Sequence, residues 1–433
     1  MNPSSVSSAE SHFTSSDRPT WDLYSVCIHC GLCLNHCPTY RALGLEQDSP
    51  RGRIYQVLQV DAGRLAIGDS FVTHIDRCLD CRACETACPS GVEYGRIVER
   101  ARAEIEQNYR RPLAARLLRR FFFRRLLRDY GLLERVSGLL RFYQRSGLET
   151  LVRASGVLKL LGLADVAALA PRISSKPFFR EFGTEFPAVG KRRAHVAFLA
   201  GCVASVAFAE LNRATVRVLQ QNGVEVFVPA AQVCCGALHA HAGFREEARE
   251  LAHANIEVFL NGFDAIVTNA AGCGATLKEY DDLLEADPDY AERSRQFAGR
   301  VKDVTEFLAE LGLQEPPRKL ARRVTYQDPC HLAHGQRVRS APRELMAAIG
   351  VELVEMPHSD HCCGSAGIYN VTQNHLAMQI LEAKMDDVAT TTADVIATAN
   401  VGCMLQLRAG VARRGLKVEV KHVVELLEEA YGD

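Results

Sequence analysis

Cys78-Leu79-Asp80-Cys81-Arg82-Ala83-Cys84-Glu85-Thr86-Ala87-Cys88-Pro89 decides the N-terminal fold, because it repeats, cysteine for cysteine, a run that begins 51 residues earlier. The earlier copy is Cys27-Ile28-His29-Cys30-Gly31-Leu32-Cys33-Leu34-Asn35-His36-Cys37-Pro38, and both read C-x2-C-x2-C-x3-C-P. A second repeat lies further along: Cys202, Cys234, Cys235 and Cys273 recur as Cys330, Cys362, Cys363 and Cys403, at offsets of 128 for the first three and 130 for the last. Gly236 and Gly364 follow the cysteine pairs. The two repeats account for all 16 cysteines of the 433-residue chain.

That many cysteines in so long a chain is too sparse for a disulfide scaffold. With 47% apolar residues and a net charge of −1, the chain is not disordered and should divide into several domains. Its first twenty residues are Ser-rich and lack a basic segment leading into an apolar one, so no secretory signal is visible and a cytoplasmic location is expected. The longest nearly uncharged apolar stretch, Val196 to Ala209, is too short to span a bilayer and reads as a buried strand and turn. In a reducing compartment the cysteines are metal ligands or redox groups before they are disulfides.

Three cysteines at successive gaps of two, then a fourth followed by Pro, is the spacing of bacterial two-cluster ferredoxins. Three thiolates on one tight loop hold three corners of a cubane, and the fourth comes from the other motif. The expected sets are therefore Cys27, Cys30, Cys33 and Cys88 for one 4Fe-4S cluster, and Cys78, Cys81, Cys84 and Cys37 for the other. Zinc is the alternative, but it prefers two separated C-x-x-C pairs and leaves the third cysteine without a role. His29 and His36 read as solvated loop residues.

From residue 191 onward short β-type runs alternate with helical segments. Val196–Ala200, Gly223–Pro229 and Asp264–Asn269 precede or follow the cysteines of the first half, and Val324–Asp328, Gly350–Pro357 and Asp394–Ala399 those of the second. Each half closes with a motif read as helical, Val301–Leu308 and Val420–Leu427. Such alternation implies parallel sheets with sites at strand ends. The second repeat resembles the Cys-Cys-Gly domain of heterodisulfide reductase and related iron-sulfur subunits. It departs from that motif where a final cysteine is due: Thr276 and Gln406 stand there, so each half offers four thiolates and the unusual non-cubane clusters of those enzymes are not implied. Cys202, Cys234, Cys235 and Cys273, with Cys330, Cys362, Cys363 and Cys403, are thus candidates for a further metal or cluster, the alternative being buried structural thiols.

Between the repeats, residues 110–180 hold 16 basic and 4 acidic side chains. Arg116, Arg120, Arg124 and Arg128 fall at i, i+4 spacing beside Leu117, Phe121, Phe122, Leu126 and Tyr130. A basic amphipathic helix over residues 110–145 could lie on an anionic membrane, pack on the chain's own core, or dock on an acidic partner. No nucleic-acid module is recognisable. The expected architecture is mixed α+β and α/β: a flexible tail (1–20), a helical two-cluster ferredoxin-like domain (21–108), a basic helical linker (109–190), and two tandem Rossmann-like Cys-Cys-Gly domains (191–315 and 316–433).

Longer strings carry a closer resemblance over nearly the whole chain from Trp21: Pro50-Arg-Gly-Arg-Ile-Tyr55, Arg77 to Val92, Gly272-Cys-Gly-Ala-Thr-Leu-Lys-Glu-Tyr280 and Cys362-Cys-Gly-Ser-Ala-Gly-Ile-Tyr369. The chain resembles the iron-sulfur subunits of bacterial glycolate oxidases, better described as glycolate dehydrogenases. The resemblance implies an electron-transfer subunit with no catalytic residues for the organic step. FAD-bearing partner subunits would oxidise glycolate to glyoxylate, and a quinone or similar membrane acceptor would take the electrons, placing the chain in the cytoplasm or on the inner membrane's cytoplasmic face. Consistent with this, no G-x-G-x-x-G after a strand, phosphate loop or G-x-S-x-G elbow is present. Subunits of lactate and anaerobic glycerol-3-phosphate dehydrogenases share the architecture, and a zinc-binding scaffold is the reading from another class.

Overall fold

The computed structural model describes residues 10–160, 162, 164–260, 262–316 and 318–432. The two C-x2-C-x2-C-x3-C-P runs form matching loops on a helical core. Pro38 opens the helix Pro38–Leu43, where its missing N–H costs nothing. Residues at matching places in the two loops adopt left-handed backbone: His29 (φ 54°) with Asp80 (φ 55°), and Gly31 (φ 86°) with Arg82 (φ 60°). The repeat is therefore one of conformation as well as spacing, and Arg82 holds a shape that its counterpart leaves to glycine. Beneath the loops, helices Pro50–Asp61, Asp69–Asp76 and Tyr94–Asn108 bury Ile54, Val57, Phe71, Ile75, Ile97 and Ile105 together.

Of the segment expected as a flexible tail, residues 1–9 lie outside the described residues. Residues 10–20 do not behave as a tail. Phe13 is buried in the same core, the amide of Thr14 donates to Glu104 Oε2 at 2.9 Å, and Asp17 is paired with Arg245 at 3.1 Å. Ser-rich composition suggested a solvated end, yet one phenylalanine and several short polar side chains suffice to tie it down.

The Cys-Cys-Gly halves each build a mostly parallel sheet. In the first, β1 (Glu185–Phe186), β2 (Ala194–Phe198), β3 (Val224–Phe227), β4 (Ala265–Thr268) and β5 (Val301–Asp303) stand in the order β1-β3-β2-β4-β5, with only β1 antiparallel. In the second, β6 (Arg323–Tyr326), β7 (Glu352–Leu353), β8 (Val395–Thr398) and β9 (Glu419–His422) stand as β7-β6-β8-β9, all parallel. The central strands β4 and β8 are buried along their whole length, as strands covered on both faces must be. The motifs expected as helical at 301–308 and 420–427 begin instead as the edge strands β5 and β9. The helices start only at Val304 and Val423, capped by the side chains of Asp303 and His422. Three or four residues are too few for strand periodicity to show against the longer helical pattern behind them.

The two halves share one core: Val196, Phe198, Val226 and Val267 belong to the same cluster as Val324, Tyr326, Val395, Val424 and Leu427. Each Cys-Cys is followed by glycine in left-handed backbone, Gly236 at φ 82° and Gly364 at φ 90°. A β-carbon on Gly364 would lie 2.5 Å from the Ala377 carbonyl oxygen, whereas on Gly236 the nearest atom would be 3.5 Å away. Gly364→Ala is therefore expected to cost about 1–3 kcal/mol, more than Gly236→Ala, as read by thermal or urea unfolding. Equal effects would show that the close approach is not retained.

The basic linker is not one amphipathic helix. Helix Leu113–Phe121 passes into a π-helical turn, Phe122–Leu126, and a new helix, Tyr130–Arg145, follows. The turn drives Phe123 and Leu127 into the first half's core, with Phe122, Leu126 and Tyr130 packed beside them. Arg124 pairs with Glu247 at 2.7 Å and Arg119 with Glu106 at 2.7 Å. Part of the expected membrane-facing stripe thus lies against the protein itself. Leu117 and Phe121 of that stripe stay exposed, together with Leu113, Leu118, Leu139, Phe142, Leu148, Leu151 and Leu160. No helix among the described residues is long and apolar enough to cross a membrane.

Candidate metal centres

All sixteen cysteines are free thiols, and the fold gathers them into groups. Cys37, Cys78, Cys81 and Cys84 line one small void together with Pro38, Thr39, Arg53, Leu79 and Tyr94. Three of these thiols come from the second motif and one from the first. Burial pushes the Cys84 thiol well up, and the Cys81, Cys37 and Cys78 sulfurs add to the effect. Donors already point at the sulfurs: the Asp80 amide donates to Cys78 Sγ at 3.3 Å and the Tyr94 hydroxyl to the same atom at 3.7 Å. Arg53, 1% exposed, brings a guanidinium to the wall, held by Asp48 Oδ1 at 3.4 Å and the His74 carbonyl at 2.6 Å.

The other group is more open. Cys30 is exposed, and Cys27, Cys33 and Cys88 are half-buried. Burial raises the Cys27 thiol, with the Cys88 and Cys30 thiols contributing, and pushes Cys33 up to about 11, with Cys27 and Cys37 contributing. Ile28 and Leu32 beside Cys30 are 68% and 58% exposed.

In the Cys-Cys-Gly halves every cysteine lies beyond the carboxyl end of a strand, where open parallel sheets place their ligands. Cys202 starts the helix after β2 and Cys273 sits in the helix after β4, as Cys403 does after β8. Cys202 Sγ is 3.6 Å from Cys234 Sγ. Cys235 lies beside Cys234 and Cys273, and Cys363 beside Cys362 and Cys403 with Cys330 next to Cys362, so each half brings four thiols together. The Gly364 amide and Asn400 Nδ2 donate to Cys362 and Cys403 Sγ, both at 3.4 Å. Thr276 and Gln406, where a fifth cysteine is absent, are buried. Buried Lys384 lies beside the second set, where its charge, after the neighbouring Cys362 and Cys403 thiols, helps hold the Cys363 thiol well below the usual range.

The second ferredoxin-type loop is clamped between the halves. Leu79, Cys81 and Ala83 share one apolar cluster with Cys362, Tyr369 and Ile380, and Cys330 packs against it. After burial, Cys330 is the largest charge influence on the Cys81 thiol. On the other side, Asp80, Arg82 and Glu99 meet His241, Arg245 and Glu279 in a buried ion network. Burial opposes protonation of His241, but the Asp80 carboxylate 3.1 Å away and the Glu99 carboxylate hydrogen-bonded at 2.7 Å override it and hold its pKa at about 9. Sequence reading missed Arg53, Asp80, Arg82, Glu99, Tyr130, His241 and Lys384, since nothing in their local pattern separates them from surface charges or core residues.

Four sulfur donors around one void, walled by hydrogen-bond donors and a buried cation, fit a sulfur-ligated iron cluster and not a lone tetrahedral ion with a separated pair of C-x-x-C hooks. Family models agree with this division. A 4Fe-4S dicluster domain matches residues 24–92, a cysteine-rich domain matches 196–278 and 324–408, and a linker region characteristic of glycolate oxidase iron-sulfur subunits matches 114–170. The chain is 41% identical over 415 residues to a probable glycolate oxidase iron-sulfur subunit of Bacillus subtilis, covering 94% of each, and 35% identical to the glycolate oxidase iron-sulfur subunit of Escherichia coli, covering 93% of each. It is also 30% identical to lactate utilization protein A of Oceanobacillus iheyensis, over 52% of this chain and 93% of that protein.

Proposed function

Because the chain belongs to the family of glycolate oxidase iron-sulfur subunits and is an iron-sulfur electron-transfer subunit of an oxidoreductase complex, we propose that it carries electrons from glycolate to a quinone-type acceptor. Flavin-bearing partner subunits take two electrons and two protons from glycolate, releasing glyoxylate, and this chain receives the electrons one at a time. The cluster ligands are Cys27, Cys30, Cys33 and Cys88 for the first 4Fe-4S cluster and Cys37, Cys78, Cys81 and Cys84 for the second. A further cluster lies in the Cys-Cys-Gly halves. Electrons enter at the exposed Cys30 loop and move inward to the second cluster and then to the Cys330 set. The single observation that carries this reading is the continuous apolar cluster joining Cys81 to Cys330 and Cys362, which brings the second ferredoxin-type set against the second Cys-Cys-Gly set.

The test is anaerobic purification of the complex from its native cell, followed by glycolate, lactate or glycerol 3-phosphate as reductant. Bleaching of the clusters by glycolate is expected; bleaching by lactate alone would move the chain to the lactate-utilising branch, and zinc without acid-labile sulfide would overturn the iron-sulfur role altogether.

The quinone side of this reading needs a membrane surface, and the linker offers one. Leu118, Leu139, Phe142, Leu151 and Leu160 are each at least 66% exposed on a segment rich in arginine. Apolar side chains rimmed by arginine match the boundary of an anionic bilayer, where each basic residue near the surface contributes about 1 kcal/mol. Flotation with phosphatidylserine vesicles at low salt is expected to carry the full chain to the lipid fraction. Leu117→Asp with Leu118→Asp should leave it at the bottom, and binding unaffected by that pair would remove the linker from the interface.

A further inference from the structure

Tyr130 opens the helix Tyr130–Arg145 of the linker and turns inward rather than outward. Its ring stacks on Phe179 at 4.9 Å and meets Phe182 edge-on at 5.9 Å, against the core that contains Cys202, Cys234 and Cys235 and is bordered by Cys273. Its hydroxyl is buried and makes no hydrogen bond among the described residues. Burial pushes the phenol's ionisation well up, and the groups that add to this are the thiols of Cys234, Cys202, Cys235 and Cys273, the whole first set.

A buried hydroxyl without a partner costs about 1–3 kcal/mol, and the stacking on Phe179 would be served equally well by phenylalanine. The other tyrosines beside the cysteine sites have their hydroxyls engaged. Tyr94 donates to Cys78 Sγ, Tyr280 to the Cys235 carbonyl at 2.9 Å, and Tyr369 to the Arg77 carbonyl at 2.9 Å. Tyr326 is also unpaired, but it lies under the Arg343 guanidinium, 5.0 Å from the ring centroid. Tyr130 packs against the apolar cluster that holds Cys202, Cys234 and Cys235 with its hydroxyl donor still unspent.

We propose that Tyr130 is a positioning residue for the first Cys-Cys-Gly site, donating a hydrogen bond to the sulfur of the iron cluster held by Cys202, Cys234, Cys235 and Cys273. This rests on the reading that those four thiols bind a cluster. The linker then covers one redox site as well as spacing two domains. A donor to cluster sulfur stabilises the more negative, reduced state, so Tyr130 raises the potential of the first site. At the second site the Tyr369 hydroxyl is spent on the Arg77 carbonyl and Tyr326 lies under Arg343, so Lys384 and Asn400 do the tuning and the two halves differ in potential despite their matched cysteines.

Three forms of the full chain, purified anaerobically, test this: the unchanged protein, Tyr130→Phe, and Cys234→Ala with Cys235→Ala. Iron and sulfide are counted, and the paramagnetic signals are followed through a redox titration. The signal lost in the double cysteine variant belongs to the first site. Tyr130→Phe keeps its stack and is expected to retain full iron while that one signal titrates at a lower potential. A change of about tenfold in the one-electron reduction equilibrium, about 59 mV, is the size expected from one hydrogen bond. Full iron with an unmoved potential and spectrum would overturn the assignment of Tyr130 and leave the cluster reading intact. No iron lost on removing Cys234 and Cys235 would overturn both.

Discussion

Replacing Cys37 by alanine is expected to remove about four irons, and replacing Cys84 in the same chain to remove no more. The two cysteines stand in different motifs, 47 residues apart in sequence, yet both line the void with Cys78 and Cys81. Two ligands of one cluster fail together, because a cubane that loses one thiolate in a partly open site is lost whole. Cys30→Ala and Cys88→Ala should behave as a second such pair. A cross between the pairs, Cys30→Ala with Cys84→Ala, should remove about eight irons. Iron and acid-labile sulfide, with low-temperature paramagnetic spectra, read the outcome. If Cys37→Ala and Cys30→Ala together lost only four irons, each motif would hold its own cluster and the crossed sets would be wrong. The fold of this region has its own core in Ile54, Phe71, Ile75 and Ile97, whose edge Cys84 joins and Cys88 packs against, while Cys30 and Cys37 lie outside it.

Arg82→Met is expected to cost about 3–5 kcal/mol of stability. Arg82 is 6% exposed, and its guanidinium lies 3.4 Å from Glu99, 3.8 Å from Asp80 and in contact with Glu279. Taking away the cation leaves carboxylates buried, and their desolvation is then opposed only by His241, Arg245 and more distant charges. Gly95 is part of the same arrangement, since a β-carbon there would sit 2.6 Å from Arg82 Nε. Arg82→Gly separates the ion network from the backbone. Glycine is at ease at φ 60°, so that variant should recover about 1 kcal/mol of the loss while remaining well below the parent protein. The measurement is urea unfolding of the full chain, read at the earliest transition because the chain has several domains. Equal stability of Arg82→Met and the parent would show that the network contributes nothing. The ranking of the two variants separates strain from charge.

Much of the architecture was legible from spacing alone. The offset of 51 between the first motifs predicted two like loops, and the structure repeats them down to the left-handed residues at 29 and 80, and at 31 and 82. The offsets of 128 and 130 predicted two like α/β halves with cysteines at strand ends, and every one of those cysteines lies there. Local patterns failed where elements are short or where a segment takes its partners from afar. The edge strands β5 and β9 were read as parts of helices, and residues 10–20 as a tail despite Phe13. The arginine ladder of the linker suggested one continuous helix, but the π-helical turn at Phe122–Leu126 redirects Phe123 inward.

By itself, then, the sequence determined the chemistry: which sulfurs exist, in what groups, and that each loop offers three close ligands and one distant one. Those are consequences of short-range chain geometry, which spacing encodes directly. Only the tertiary structure decided how the groups stand to one another. That Cys81 shares an apolar cluster with Cys330 and Cys362, that Tyr130 packs against the core holding the first set while Lys384 lies beside the second, and that Arg82 is locked between Glu99 and Glu279 are contacts across 17 to more than 200 residues. They follow from which faces of the sheets and helices are left apolar enough to bury, a property of the assembled core and not of any local pattern.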